Sequence, residues 1–273
     1  TINYSLGTDV TMFNERVNLT IDLYRKKTDP LVAAITTPSS IGVKSVMMNM
    51  GQLKTDGIEV TLKVSPIYRP QDRFVWNISL NGTHAKSKYS KIGNRLQSMN
   101  EQNQANLNTT RYYDGGSPTD IWAVRSAGID PATGQDLFIK KDGTYTFTYD
   151  KNDEVVVGNT EPKLEGVLGT TLYYKGLSFG CYLRYRLGGQ VFNYALYEKV
   201  ENIDREGINY NQDKRALYDR WSTPGQEAKF KRISLFQTTE TSSRFVMDEN
   251  TLSGESFNIG YEFTQPFIKH IGL

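Results

Sequence analysis

The feature that most constrains this chain is a strict two-residue alternation of apolar and polar side chains, the period of a β-strand whose faces meet different surroundings. Over residues 3–12, Tyr4, Leu6, Thr8, Val10 and Met12 share one face, and Asn3, Ser5, Gly7, Asp9 and Thr11 the other. Residues 16–25 repeat the pattern, with Val17, Leu19, Ile21 and Leu23 against Asn18, Thr20 and Asp22. Ile58, Val60, Leu62 and Val64 form a third apolar row, and Phe74, Trp76, Ile78 and Leu80 a fourth; Glu59, Lys63, Asn77, Ser79 and Asn81 lie between them. Leu168, Thr170, Leu172 and Tyr174 lead into a Lys175-Gly176 turn, followed by Phe179, Cys181, Leu183, Tyr185 and Leu187, with Arg184 and Arg186 on the polar side. A seventh row runs through Phe257, Ile259, Tyr261 and Phe263, with Glu262 among its polar partners. These strands read as about 10 residues each, longer than the usual 5–6 of globular sheets and matched to a tilted bilayer crossing.

Connection lengths alternate as strictly as the side chains. Short turns are expected near Asn14, between Pro66 and Gln71, at Lys175-Gly176 and from Thr264 onward. Between them lie a long segment of about 30 residues, 26–55, and two that exceed about 60, the pattern of an up-and-down barrel with short turns on one side and long loops on the other. The loops are rich in Asn, Gln, Gly, Ser and Tyr, as over residues 100–106, and are expected to supply no apolar layer.

Alternation by itself leaves two readings open. A soluble sandwich turns its apolar rows into a core, whereas a membrane barrel turns them toward lipid. No run approaches the 18 apolar residues of a spanning helix, so a membrane location requires strands. A mean hydropathy of -0.52 fits that, because barrel strands average their two faces. The absence of charge from the central apolar rows, and the aromatics Trp76, Tyr174 and Tyr185 as candidates for interfacial girdles, favour the barrel.

Few residues invite chemistry. The formal charge is +2, which implies no general polyanion-binding surface and no nucleic-acid partner. One cysteine, Cys181, excludes an internal disulfide framework and a Cys-based zinc site. The two histidines, His84 and His270, lack metal-ligand spacing. No nucleophile elbow, phosphate loop or dinucleotide fingerprint occurs, so the chain is expected not to be an enzyme and to need no cofactor. Asp9, Asp22, Glu59 and Glu262 could pair for glycoside hydrolysis, but as strand residues they read better as charges on a wet face. Asp130-Pro131-Ala132-Thr133-Gly134 could hold a cation, although it is ordinary turn chemistry. Tyr112, Tyr113 and Trp122, in the longest loop region, could stack on sugar rings or meet a partner protein.

Several segments in order resemble the SusC/RagA branch of TonB-dependent outer-membrane receptors of Bacteroidetes. Asn18 to Thr28 is similar to that family's strand ending in Tyr-Arg-Lys-Lys; Asn49-Met50-Gly51 and Gly57-Ile58-Glu59-Val60 follow at the family's positions. Trp76 to Asn81, Ala127 to Gly134, Tyr174 to Ser178, Gly188 to Asn193, Arg244-Phe245-Val246 and Asn258 to Tyr261 add further matches. The resemblance implies import of oligosaccharides or peptides through a plugged barrel of 22 strands in the bacterial outer membrane. TonB would power it, and a SusD-like surface lipoprotein would act as lid. The chain is then expected to be an incomplete barrel portion, residues 1–273, with no plug domain, no signal peptide and no closing strands after His270. Asp9, Asp22, Glu59, Lys63, Arg184, Arg186 and Glu262 would face the lumen. The competing expectation is a soluble, non-catalytic β-sandwich that binds carbohydrate through its loops.

Overall fold

The computed structural model describes residues 1–36, 40, 42–93, 96–203, 207–234 and 237–263. Its strands in chain order are β1 Ile2–Met12, β2 Val17–Thr28, β3 Val32–Thr36, β4 Ser45–Asn49, β5 Gln52–Arg69, β6 Phe74–Ser90, β7 Asp120–Ile129, β8 Asp136–Ile139, β9 Tyr145–Thr146, β10 Glu154–Asn159, β11 Leu164–Tyr174, β12 Leu177–Phe192 and β13 Val246–Tyr261. The seven strands legible in the sequence form one antiparallel sheet in the order β1-β2-β5-β6-β11-β12-β13. Each pairs with the next long strand along the chain, which makes the sheet an up-and-down meander and an open segment of a barrel wall.

Register explains why the alternation holds across the whole sheet. Residues directly opposite one another share a face, so polarity must agree along every cross-strand row. Val10, Leu19, Leu62, Leu80, Leu168 and Leu183 form one such row across six strands. The next residues along these strands toward the long loops, Asp9, Thr20, Thr61, Asn81, Val167 and Arg184, form a row on the opposite face. Leu80 and Leu168 are flanked by strands on both sides, yet 40% and 41% of their surface stays open. This row, from Leu19 to Leu183, does not pack into a core of buried side chains. The sandwich expectation fails here, because among the described residues no second sheet covers this apolar face.

Aromatics close the short-turn end of that face. Phe74 opposes Tyr174 edge-on at 5.1 Å between ring centres, beside Trp76, and Tyr261 follows along the row. Tyr185 does not belong to this girdle. It lies within the apolar band over Gly82 and Gly166, where the missing side chains let its hydroxyl reach across β11 and donate to the Asn81 carbonyl at 2.6 Å. The hydroxyl on this apolar face thereby has an acceptor.

Several expectations are corrected. Four of the seven strands, β5, β6, β12 and β13, run to between 16 and 18 residues, beyond a bilayer crossing, because both faces turn polar past the apolar band and read as loop. The turn expected between Pro66 and Gln71 falls at residues 70–73. Pro66 instead sits in a bulge where the β5–β6 register shifts between Val64 and Ile67, an accommodation for its missing N–H. The last long connection covers residues 193–245 and is shorter than expected, since β12 and β13 extend further. The turn expected from Thr264, and His270, lie outside the described residues.

The largest correction concerns the loops, which fold and carry the buried core. Met50, Tyr89, Ile92 and Leu96 pack together, as do Ile121, Phe192, Tyr197 and Phe245, and then Val200, Ala216 and Phe230. The connection from β6 to β11 contains the sheet β10-β7-β8-β9. The polar run at 100–106 is largely helical, within α1, Gln97–Ala105. Its weak intrinsic propensity is offset by tertiary bonds: Asn100 exchanges hydrogen bonds with the Tyr112 backbone at 2.9 and 2.8 Å, and Asn103 donates to the Thr110 carbonyl. All of this material lies at the long-connection end of the seven-stranded sheet.

Candidate functional site

The polar face of the sheet collects the seven charged residues that the strand alternation nominated, while Asp130 lies apart in a loop turn. Asp22, Glu59, Thr83, Glu165 and Arg186 form one cross-strand row. Arg186 reaches Glu249 at 2.8 Å and Glu165 at 3.8 Å, and donates to the Thr160 carbonyl. Asp9 and Arg184 share the adjacent row, where Thr20 donates to Asp9 at 2.6 Å and Arg184 meets Glu255 at 2.6 Å. Lys63 lies further toward the short turns, opposite Asn18 and Ser79. At that end Glu262 accepts from Arg73 at 2.7 Å and from the Tyr173 hydroxyl at 3.0 Å. These pairs are solvated, so each contributes little to stability. They give the face alternating sign instead of one strong field. Among the described residues no metal-binding cluster occurs.

At the long-connection end of the sheet the folded loops form a cleft of about 640 Å³, and its lining includes Tyr112, Tyr113 and Trp122. Trp122 lies on β7 opposite Val156 of β10, and Tyr113 tilts against it with ring centres 5.1 Å apart. Tyr112 turns away from that pair and packs on Tyr89 at 5.7 Å. Tyr113 is exposed, so an aromatic surface is open to a ligand beside the amides of Gln97 and Gln104 and the amines of Lys141 and Lys151. Beneath it Arg111 and Glu154 form a buried, two-pronged ion pair with both Nη2 distances at 2.8 Å. Gln104 of α1 also donates to Glu154, tying helix and sheet together. Arg111 and Glu154 carried no signal in the sequence, where each looks like any surface charge.

A second buried charge cluster fixes the connection from β12 to β13. Arg244 binds Glu201 at 3.0 Å and Asp136 at 2.7 Å, and stacks on Phe245. Burial pushes the Asp136 carboxyl above its usual range, against the pull of Arg244. Burial likewise raises the Tyr197 hydroxyl to about 12, which keeps it a neutral donor to the Thr239 carbonyl. In the Asp130 turn, the carboxylate accepts from the Thr133 amide and hydroxyl at 3.0 and 2.6 Å, so turn chemistry accounts for its geometry. Gly134 closes that turn at φ 69°, with the Trp221 ring packed where a side chain would project. Trp221 in turn donates to the Pro131 carbonyl at 2.8 Å.

An open apolar face, an opposite polar face and a folded loop layer together resemble a known family. Residues 1–193 match the family described as TonB dependent receptor-like, beta-barrel. The chain belongs to that family. Among its relatives, TonB-dependent receptor P3 of Formosa agariphila is 26% identical over 98% of this chain and 27% of its own length. TonB-dependent receptor SusC of Bacteroides thetaiotaomicron is 22% identical over 96% of this chain and 26% of its own. The solved structure of the RagAB peptide transporter superposes with a TM-score of 0.74 at 21% identity, covering 95% of this chain and 28% of that one. This TonB-dependent receptor segment is therefore a bacterial outer-membrane protein, and it spans about a quarter of the length of these relatives.

Proposed function

We propose that this chain forms an incomplete barrel portion of a TonB-dependent importer of large nutrients, contributing seven of an expected 22 strands. The contrast between the two sheet faces carries this reading. In it the face bearing Asp9, Asp22, Glu59, Lys63, Arg184, Arg186 and Glu262 lines the lumen, and the opposite face meets lipid. The mixed signs along the inner rows suit a wet passage for neutral or zwitterionic cargo. Their role is to hold water and offer exchangeable hydrogen bonds. No catalytic step is assigned to them.

The loop layer is the part that meets cargo, an oligosaccharide or peptide, and a SusD-like lipoprotein lid. TonB would act through parts outside this chain. The relatives' names support a receptor, and SusC and the RagAB transporter support this branch of the family. Tyr113 and Trp122 offer flat apolar surface beside amide and amine groups, the combination that holds a sugar ring or a peptide side chain. In the whole receptor, Trp122→Ala is expected to weaken cargo binding about tenfold, the loss typical of a central aromatic contact. Calorimetric titration of purified receptor with oligosaccharide and peptide pools reads this directly. Unchanged affinity with every pool that binds the wild type contradicts the cleft assignment.

A further inference from the structure

The outward, apolar face of the sheet ends on the long-loop side in a cationic patch. On β2 the outward residues run Val17, Leu19, Ile21 and Leu23, then Arg25 and Lys27. On β5 they run Val64, Leu62, Val60 and Ile58, then Asp56 and Lys54. On β6 they run Phe74, Trp76, Ile78, Leu80, Gly82 and His84, then Lys86 and Lys88. Register brings these ends side by side. Arg25, Asp56 and Lys86 form one row, and Lys27, Lys54 and Lys88 the next.

Three lysines directly abreast are unfavourable for the sheet alone, since like charges facing across strands repel. Internal compensation is incomplete. Asp56 pairs with Arg25 and with Lys54, and Asp29 approaches Lys27 at 3.7 Å, while Lys86 and Lys88 form no salt bridge among the described residues. Lys54, Lys86 and Lys88 are all exposed. The patch is specific to one face and one end. At the same level the inward residues are Tyr24, Lys26, Thr55, Gly57, Ala85 and Ser87, with a single cation, and the short-turn end of the outward face is aromatic.

Its height also fits a membrane boundary. From Phe74 to Lys86 is twelve residues of one strand, which at ~3.3 Å each and a tilt of ~40° climb roughly 30 Å, the thickness of a hydrocarbon core. With Phe74 in the aromatic girdle, Lys86 stands at the level of the outer-leaflet headgroups. We infer that Arg25, Lys27, Lys54, Lys86 and Lys88 form a binding site for the phosphate groups of anionic lipid in the outer leaflet. The acyl chains of that lipid lie against Leu23, Ile58 and Leu80. Lysine ammoniums suit this task as mobile point charges on long stems, able to follow a headgroup. The near-neutral charge of the chain conceals the site, because its excess is local. The assignment is independent of which cargo the receptor carries.

The test uses the whole receptor in mild detergent, incubated with phosphatidic acid or with phosphatidylcholine of the same acyl chains, and native mass spectrometry to count retained lipid. Wild type should retain phosphatidic acid in preference to phosphatidylcholine. Combined Lys54→Gln, Lys86→Gln and Lys88→Gln should cut that retention at least about tenfold. Combined Lys26→Gln and Lys63→Gln, on the inward face, should change it by less than about twofold. The corresponding triple arginine variant should behave as wild type. Should the glutamine triple fail to fold, Lys86→Gln and Lys88→Gln singly should each lower retention by roughly threefold. Equal retention of the two lipids, an equal loss from the inward variant, or displacement of the lipid by excess inorganic phosphate would each overturn the assignment.

Discussion

Truncating Glu154 to alanine is expected to destabilise the outer loop layer by about 3–5 kcal/mol. Arg111 is the reason. Its side chain is 3% exposed, and Glu154 is the carboxylate that offsets its charge, accepting from both Nε and Nη2. With Glu154 gone, a guanidinium would remain in low dielectric with only the carbonyls of Asn108 and Thr110 as acceptors. Gln104 would lose its carboxylate partner as well, freeing α1 from β10.

The damage should stay local. Strands of the large sheet are held by their own ladders and by the membrane, so hydrogen exchange should accelerate over residues 97–124 and leave 74–82 protected. Replacing both partners by apolar residues, Arg111→Met with Glu154→Leu, should recover most of the lost protection, because no uncompensated charge is then buried. Unaltered exchange over 97–124 in Glu154→Ala would show that the pair does not hold the layer together.

The second large effect separates the two faces of one strand. Leu80→Arg places a charge near the middle of the apolar band and should cost about 2–4 kcal/mol in the folding of the whole barrel into phosphatidylcholine vesicles. Ser79→Arg and Asn81→Arg, its neighbours on the polar face, should each stay within about 1 kcal/mol, since a wet face tolerates another charge. Urea titration of the reconstituted receptor measures all three. Similar costs at 79, 80 and 81 would deny the asymmetry on which the fold assignment rests.

The strands were legible because a period of two leaves its mark on every residue, and because six strands had to agree in polarity along rows such as Val10 to Leu183. Their outer ends were not, since a stretch such as Lys86-Ser87-Lys88 is polar on both faces and reads as loop. The loop core escaped notice for a related reason. Met50 clusters with Tyr89, Ile92 and Leu96, Ile121 with Phe192, Tyr197 and Phe245, and Val200 with Ala216 and Phe230, and tertiary contact alone joins these separated positions. Within the candidate site, the aromatics could be nominated by type and region. Arg111, Glu154, Glu201 and Arg244 could not, because burial is what distinguishes them from ordinary surface charges.

The most direct test of the central claim, that one face of this sheet meets lipid and the other water, is quenching of a fluorophore attached to single cysteines. In a Cys181→Ser background of the whole receptor, residues 62, 80 and 168 would be labelled in turn, and residues 61, 79 and 81 as their counterparts. Labels at 62, 80 and 168 should be quenched by brominated lipid and shielded from iodide, and the other three should show the reverse. Labels at 62, 80 and 168 that respond to iodide and ignore brominated lipid would contradict the account.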